Sequence, residues 1–142
     1  MKINKSQNYA LFFENIKQET LIDEYEKIFD TKARFKDPFN EVQGIEKIYE
    51  IFQDMYIKLD NPKFKVSELI EDNNIAYLKW ILEYNFKNET KLNSFEGVSR
   101  VEFNEMQKAI SHIDYWDAGE NVYEKIPILS FFIKLIKRKI AN

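Results

Sequence analysis

Ala76-Tyr77-Leu78-Lys79-Trp80-Ile81-Leu82-Glu83-Tyr84-Asn85-Phe86 is the stretch that decides the fold. Ala76, Leu78, Trp80, Leu82, Tyr84 and Phe86 recur at every second position, while Lys79, Glu83 and Asn85 share the other side. Side chains alternate between the two faces of a strand, so this is a long strand with one face on a core. Upstream, after Asn61-Pro62, the same period returns: Phe64, Val66 and Ile70 alternate with Lys65 and Ser67. Glu71-Asp72-Asn73-Asn74 supplies the turn between the two runs. Downstream, a polar loop over 88–93 leads to a strand over 95–104, and a tight connection leads to another over 107–116.

The amino-terminal part follows a helical period instead. Tyr9, Phe12, Phe13 and Ile16 recur at spacings of three and four, and Leu21, Tyr25, Ile28 and Phe29 repeat the habit. The polar Lys17-Gln18-Glu19-Thr20 predicts a break between two helices, with Thr20 as a cap. A short strand over 33–37 ends at Pro38. Gly44 precedes a third helix striped by Ile45, Ile48, Phe52 and Met55. Helices followed by a meander of antiparallel strands make an α+β domain.

At 142 residues, 44% apolar and 15% aromatic, the chain has the substance for one domain with a real core. A net charge of −3 gives no pull toward nucleic acid, and none is expected as a partner. Without cysteine there is no disulfide, thiolate nucleophile or cysteine-bound metal. The first residues lack the apolar run of a signal peptide, so a cytoplasmic setting is expected. With three glycines the phosphate-cradling loops of nucleotide folds are missing. A single histidine among scattered acids is a poor transition-metal set, and the reading calls for no metal and no cofactor.

Two further stretches place acids among aromatics: Phe35-Lys36-Asp37-Pro38-Phe39 and His112-Ile113-Asp114-Tyr115-Trp116-Asp117. In the first, Ala33, Phe35, Asp37 and Phe39 share the apolar side, which points Asp37 inward. In the second, Ile110, His112, Asp114 and Trp116 share a side, but both sides are half apolar and pattern alone leaves the choice open. If the His112 side is inward, Asp37, His112 and Asp114 converge on a cavity walled by Trp80 and Tyr84. Carboxylates and an imidazole in such a setting can be tuned for proton transfer. The competing reading is a satisfied polar network holding strands in register, with Asp37 capping the turn after Pro38.

The order and length of these elements, with the two acid-bearing stretches, resemble the nuclear-transport-factor-2-like superfamily, in particular its SnoaL-like and ketosteroid-isomerase-like group. The resemblance implies a cone: a curved antiparallel sheet wrapped around N-terminal helices, a pocket at the open end, and a homodimer through the outer face of the sheet. By the same resemblance Asp37 matches the general base of ketosteroid isomerases, while Phe13 and Ser99 match the positions that hold the enolate oxygen. Phe13 cannot donate a hydrogen bond, so that oxyanion hole is incomplete. Asp114 resembles the last-strand aspartate of limonene epoxide hydrolases. Their arginine–aspartate pair is missing from Lys79-Trp80-Ile81-Leu82-Glu83.

The expected division is a cone-fold domain over 1–117 and a helical extension over 118–142. Residues 126–140 are strongly apolar, lack acids and end in a basic cluster, so they pack on the domain, on a dimer partner or on a membrane surface. The expected function is a pocket for an apolar small molecule. Asp37, His112 and Asp114 are its candidate proton-handling residues, and Phe13, Phe39, Trp80, Tyr84, Ser99 and Trp116 its candidate lining. Isomerase, cyclase or hydrolase chemistry would fit. The alternative is a non-catalytic binding or accessory subunit.

Overall fold

The computed structural model describes residues 4–121 and 127–141; Ile126, the start of the apolar tail, lies outside the described residues. Helix α1 (Lys5–Asn15) begins at a capping box. The Asn4 side chain accepts from the Gln7 backbone N–H, and the Gln7 side chain accepts from that of Asn4. Tyr9, Ala10 and Phe13 form its buried side. The predicted second helix is only α2 (Ile22–Glu26). Phe29 instead opens strand β1 (Phe29–Lys36), and Thr20 closes the preceding turn by accepting from the Lys17 N–H rather than capping α2.

A short β2 (Glu41–Gln43), which has no apolar alternation to announce it, pairs back on β1. Gly44 follows at φ 99°, a conformation that suits glycine, and starts α3 (Ile45–Lys58). Ile45, Ile48, Phe52 and Tyr56 form its buried stripe. Then come β3 (Leu59–Asp72), β4 (Ile75–Phe86), β5 (Asn93–Phe103) and β6 (Ala109–Tyr115), followed by α4 (Ala118–Asn121) and α5 (Pro127–Ile140).

The strands form one curved, open sheet in the order β2-β1-β6-β5-β4-β3. It is mixed rather than wholly antiparallel, because β1 runs parallel to β6. A parallel pair needs a long connection, and everything from β2 to β5 lies between these two strands. Register shifts interrupt β3 twice and also break the β5–β6 pairing. Each shift bends the sheet and changes which residues face inward. Past the slip between Val66 and Glu68, Leu69 packs on the core and the predicted Ile70 is 69% exposed.

On β4 the alternation holds: Ala76, Leu78, Trp80, Leu82 and Tyr84 are buried. The main core joins Tyr9 and Phe13 of α1, Phe52 of α3, Phe29 and Phe35 of β1, and Val101 and Phe103 of β5. A second cluster of Trp80, Leu82 and Tyr84 lies farther along the sheet, packed by Phe95 and Trp116. Across the opposite face run the ion pairs Lys65–Glu83, Lys79–Glu96 and Arg100–Glu102. No helix among the described residues is long and apolar enough to cross a membrane.

Candidate functional site

The slip between β5 and β6 settles which side of the last strand faces in. Val101 pairs with His112 and Phe103 with Ala109, so the chain bulges between Ala109 and His112 and both are buried. Beyond the bulge ordinary alternation resumes, and Asp114 follows His112 onto the inner face. Counting in twos, which puts Ile110 on the His112 side, would set Ala109 on the other, and the bulge is why it fails there.

Five side chains from four elements then form one hydrogen-bonded chain. Trp80 Nε1 donates to Ser99 Oγ at 2.8 Å, and Ser99 Oγ donates to Asp114 Oδ1 at 2.5 Å. His112 Nε2 lies 2.6 Å from the same Asp114 oxygen, and Tyr9 Oη lies 2.6 Å from His112 Nδ1. A carboxylate can only accept, so Nε2 carries the proton and, in the neutral ring, Nδ1 accepts from the phenol. That assignment gives every donor in the chain an acceptor. Burial, and then the charge of Asp114, push the Tyr9 phenol well above its ordinary 10.0, which keeps it protonated and able to donate.

Asp114 Oδ1 takes both bonds, so Oδ2 has no partner among the described residues. The His112 side chain is 5% exposed and that of Asp114 is 16% exposed. Phe35 stacks on the imidazole with ring centres 4.6 Å apart, and Phe13 lies against it at 5.6 Å.

A cavity of about 40 Å³ opens beside this chain, lined by Phe13, Phe64, Trp80, Ser99, His112 and Asp114 among others. That is room for a few waters or a very compact molecule, well below the ~300 Å³ of an ordinary ligand pocket. Phe13 and Phe64 meet edge to face at 6.2 Å and also line a neighbouring groove of about 400 Å³. The aromatic pair thus stands between the small cavity and the larger groove.

The expected residues separate into two groups. Phe13, Trp80, Ser99, His112 and Asp114 share the inner cavity. Asp37 does not reach it: its carboxylate accepts from the Phe39 and Asn40 N–H groups and from the Asn40 amide, holding the turn after Pro38. Proline terminates β1 and turns the chain outward, so the alternation that aimed Asp37 inward stops one residue short. Asp37 and Asp114 do both line an open outer groove of about 590 Å³ with Lys36, Pro38 and Trp116. Phe39 is 48% exposed and packs edge to face on Trp116. Tyr84 is buried in the second cluster, away from the inner lining.

Two participants escaped sequence reasoning. Tyr9 looked like one more aromatic on a helix stripe; a phenol among phenylalanines was the available signal. Gly97 pairs with Trp80, and a Cβ there would lie 2.6 Å from the indole ring and 3.0 Å from the Tyr115 carbonyl oxygen. The missing side chain is what lets Trp80 lie flat enough to reach Ser99.

The SnoaL-like domain profile matches residues 11–112. A provisionally named polyketide cyclase from Acidithiobacillus ferrooxidans superposes with a TM-score of 0.71 at 16% identity, over 91% of this chain and 99% of its own. A provisionally named isomerase of the SnoaL-like family from Agrobacterium tumefaciens gives 0.66 at 15% identity, over 80% and 94%. A ketosteroid-isomerase-like fold from Catenulispora acidiphila, solved in complex with trimethylamine, gives 0.68 at 10% identity, over 80% and 85%. No curated protein matches the chain. At these identities the likenesses in structure speak for the fold, and the profile match covers most of the sequence: the chain belongs to the SnoaL-like domain family.

Proposed function

We propose that the protein is a small-molecule acid/base site in which Asp114 Oδ2 exchanges a proton with a compact apolar substrate or substrate end. One observation carries this reading. The Tyr9–His112–Asp114–Ser99–Trp80 chain spends one carboxylate oxygen on holding the network and leaves the other without a partner among the described residues, on a side chain that lines an aromatic-walled cavity. Fixed donors at Oδ1 hold the carboxylate in place, and preorganised geometry is what general acid/base catalysis needs.

The volume limits the substrate. A polycyclic molecule does not fit in about 40 Å³, so only a very small ligand or the reacting end of a larger one enters the inner cavity, past the Phe13–Phe64 pair or from the open groove that Asp114 also lines. Relatives of the fold are named as cyclase and isomerase, and another was solved in complex with a compact molecule, trimethylamine, which fits a reading as a small-molecule site. In this reading Asp37 is a turn residue, and Ser99 and His112 position Asp114.

The test is hydrogen exchange at carbon. Small ketones in D2O, followed by proton NMR, should lose their acidic C–H signals faster with the protein present. Asp114→Asn should slow that exchange about 10²–10⁴-fold, while Asp37→Asn leaves it unchanged. No acceleration by the native protein on any compact ketone, together with a loss of stability in Asp114→Asn, would return the network to a purely structural role.

A further inference from the structure

We propose that α5 is a membrane-surface helix that lays its apolar side into an anionic bilayer and keeps the rest of the chain in water. Pro127–Ile140 reads PILSFFIKLIKRKI. At about 100° per residue, Lys134, Lys137 and Arg138 fall on one arc. Leu135, Ile136 and Ile140 fall off that arc, with Lys139 among them in the last turn. Among the described side chains, Leu135, Ile136 and Ile140 are 50%, 57% and 76% exposed.

Charge selects the occupant. The helix carries four cations and no acid on a chain of net charge −3, which leaves −7 for everything outside it. A bilayer rich in anionic headgroups therefore attracts the helix and repels the body, which orients the molecule as well as binding it. The outer face of the sheet is a poor alternative receptor. It bears the Lys65–Glu83, Lys79–Glu96 and Arg100–Glu102 pairs, and an apolar stripe laid over them would strip them of water.

Length decides between lying on the membrane and crossing it. Fourteen helical residues span about 21 Å, short of the ~30 Å hydrocarbon core. A helix of this pattern lies in the interface, with its cations at headgroup level. Lys137 is 3.6 Å from Asp117, which ties the helix to the chain just after β6 while leaving Lys137 45% exposed.

Flotation of the full-length protein tests this. Vesicles of phosphatidylcholine with phosphatidylglycerol should carry it upward in low salt. Phosphatidylcholine alone, or high salt, should reduce the floated fraction about fivefold or more. Lys134→Glu with Lys137→Glu and Arg138→Glu should abolish flotation, and the same positions changed to or kept as arginine should retain it. No flotation on anionic vesicles, or equal flotation on neutral ones, overturns the proposal without recourse to any variant. So does a halving of the solution mass in Leu135→Ser/Ile136→Ser, measured by sedimentation without lipid, if the native protein does not float: the helix would then be a contact between two copies.

Discussion

Tyr9 Oη lies 2.6 Å from His112 Nδ1 and joins the first helix to the last strand across 103 positions of sequence. The bond is buried, so its loss takes from His112 Nδ1 the donor that satisfies it. Tyr9→Phe keeps the ring contacts to Phe13, Phe29 and Phe103 and removes only the oxygen. It should cost about 1–3 kcal/mol in urea unfolding, the usual penalty for stranding a buried acceptor.

The same substitution at Tyr25 should behave in the opposite way. Tyr25 is 0% exposed, and its Oη has no hydrogen-bond partner among the described residues. Removing a buried hydroxyl that bonds to nothing relieves a desolvation cost, so Tyr25→Phe should be neutral or stabilising by up to about 1 kcal/mol. A destabilisation comparable with that of Tyr9→Phe would show that the Tyr25 oxygen has a partner after all.

Asp37 separates structure from chemistry at the second acid. Its carboxylate collects two backbone N–H groups and the Asn40 amide in one turn. Asp37→Ala should lower stability by about 1–2 kcal/mol and leave ligand affinity and proton exchange at the Asp114 site unchanged. Loss of exchange in a variant that remains folded would bring Asp37 back into the chemistry.

How far the sequence is legible depends on whether a signal is local. The β4 alternation and the α3 stripe need only periodicity, and both read correctly from Ala76 to Tyr84 and from Ile45 to Phe52. Where the pleat slips, periodicity misleads: Leu69 replaces Ile70 on the core, and Ala109 joins His112. The parallel pairing of β1 with β6 rests on contacts between segments more than 70 positions apart, which no window of sequence contains. His112 and Asp114 were visible as a pair because they are two apart on one strand. Tyr9 and Gly97 were not, because their roles exist only against partners brought from other elements.

Gly97 yields a prediction about Trp80. Gly97→Ala would set a methyl group 2.6 Å from the indole and 3.0 Å from a backbone oxygen, and the backbone side cannot yield. Trp80 must therefore swing away from Ser99, breaking the 2.8 Å bond that starts the chain to Asp114. The expected cost is about 1–3 kcal/mol, typical of overpacking. In a Trp116→Phe background, where Trp80 is the remaining tryptophan, its emission should shift to longer wavelength as the ring gains water. Unchanged emission and stability would mean that the sheet can absorb the methyl group and that the glycine is not needed there.

Alkaline titration tests the burial of the phenols as a group. Burial, and then the charge of Glu19, push Tyr56 up to about 12; burial also raises Tyr9 and Tyr25. In the unfolded chain these phenols ionise near 10.0, so above that pH the unfolded state releases protons that the folded state still holds. The phenols' share of stability should thus be flat below pH 10 and fall as pH rises toward the folded values, by about 1.4 kcal/mol per pH unit for each phenol involved. Urea midpoints between pH 8 and pH 12 would show it. Tyr56→Phe should remove one phenol's share of the slope between pH 10 and about 12 while leaving the plateau below pH 10 in place. A slope identical to that of the native protein would mean that Tyr56 ionises in the folded state as easily as in the unfolded one, and that its hydroxyl is open to water.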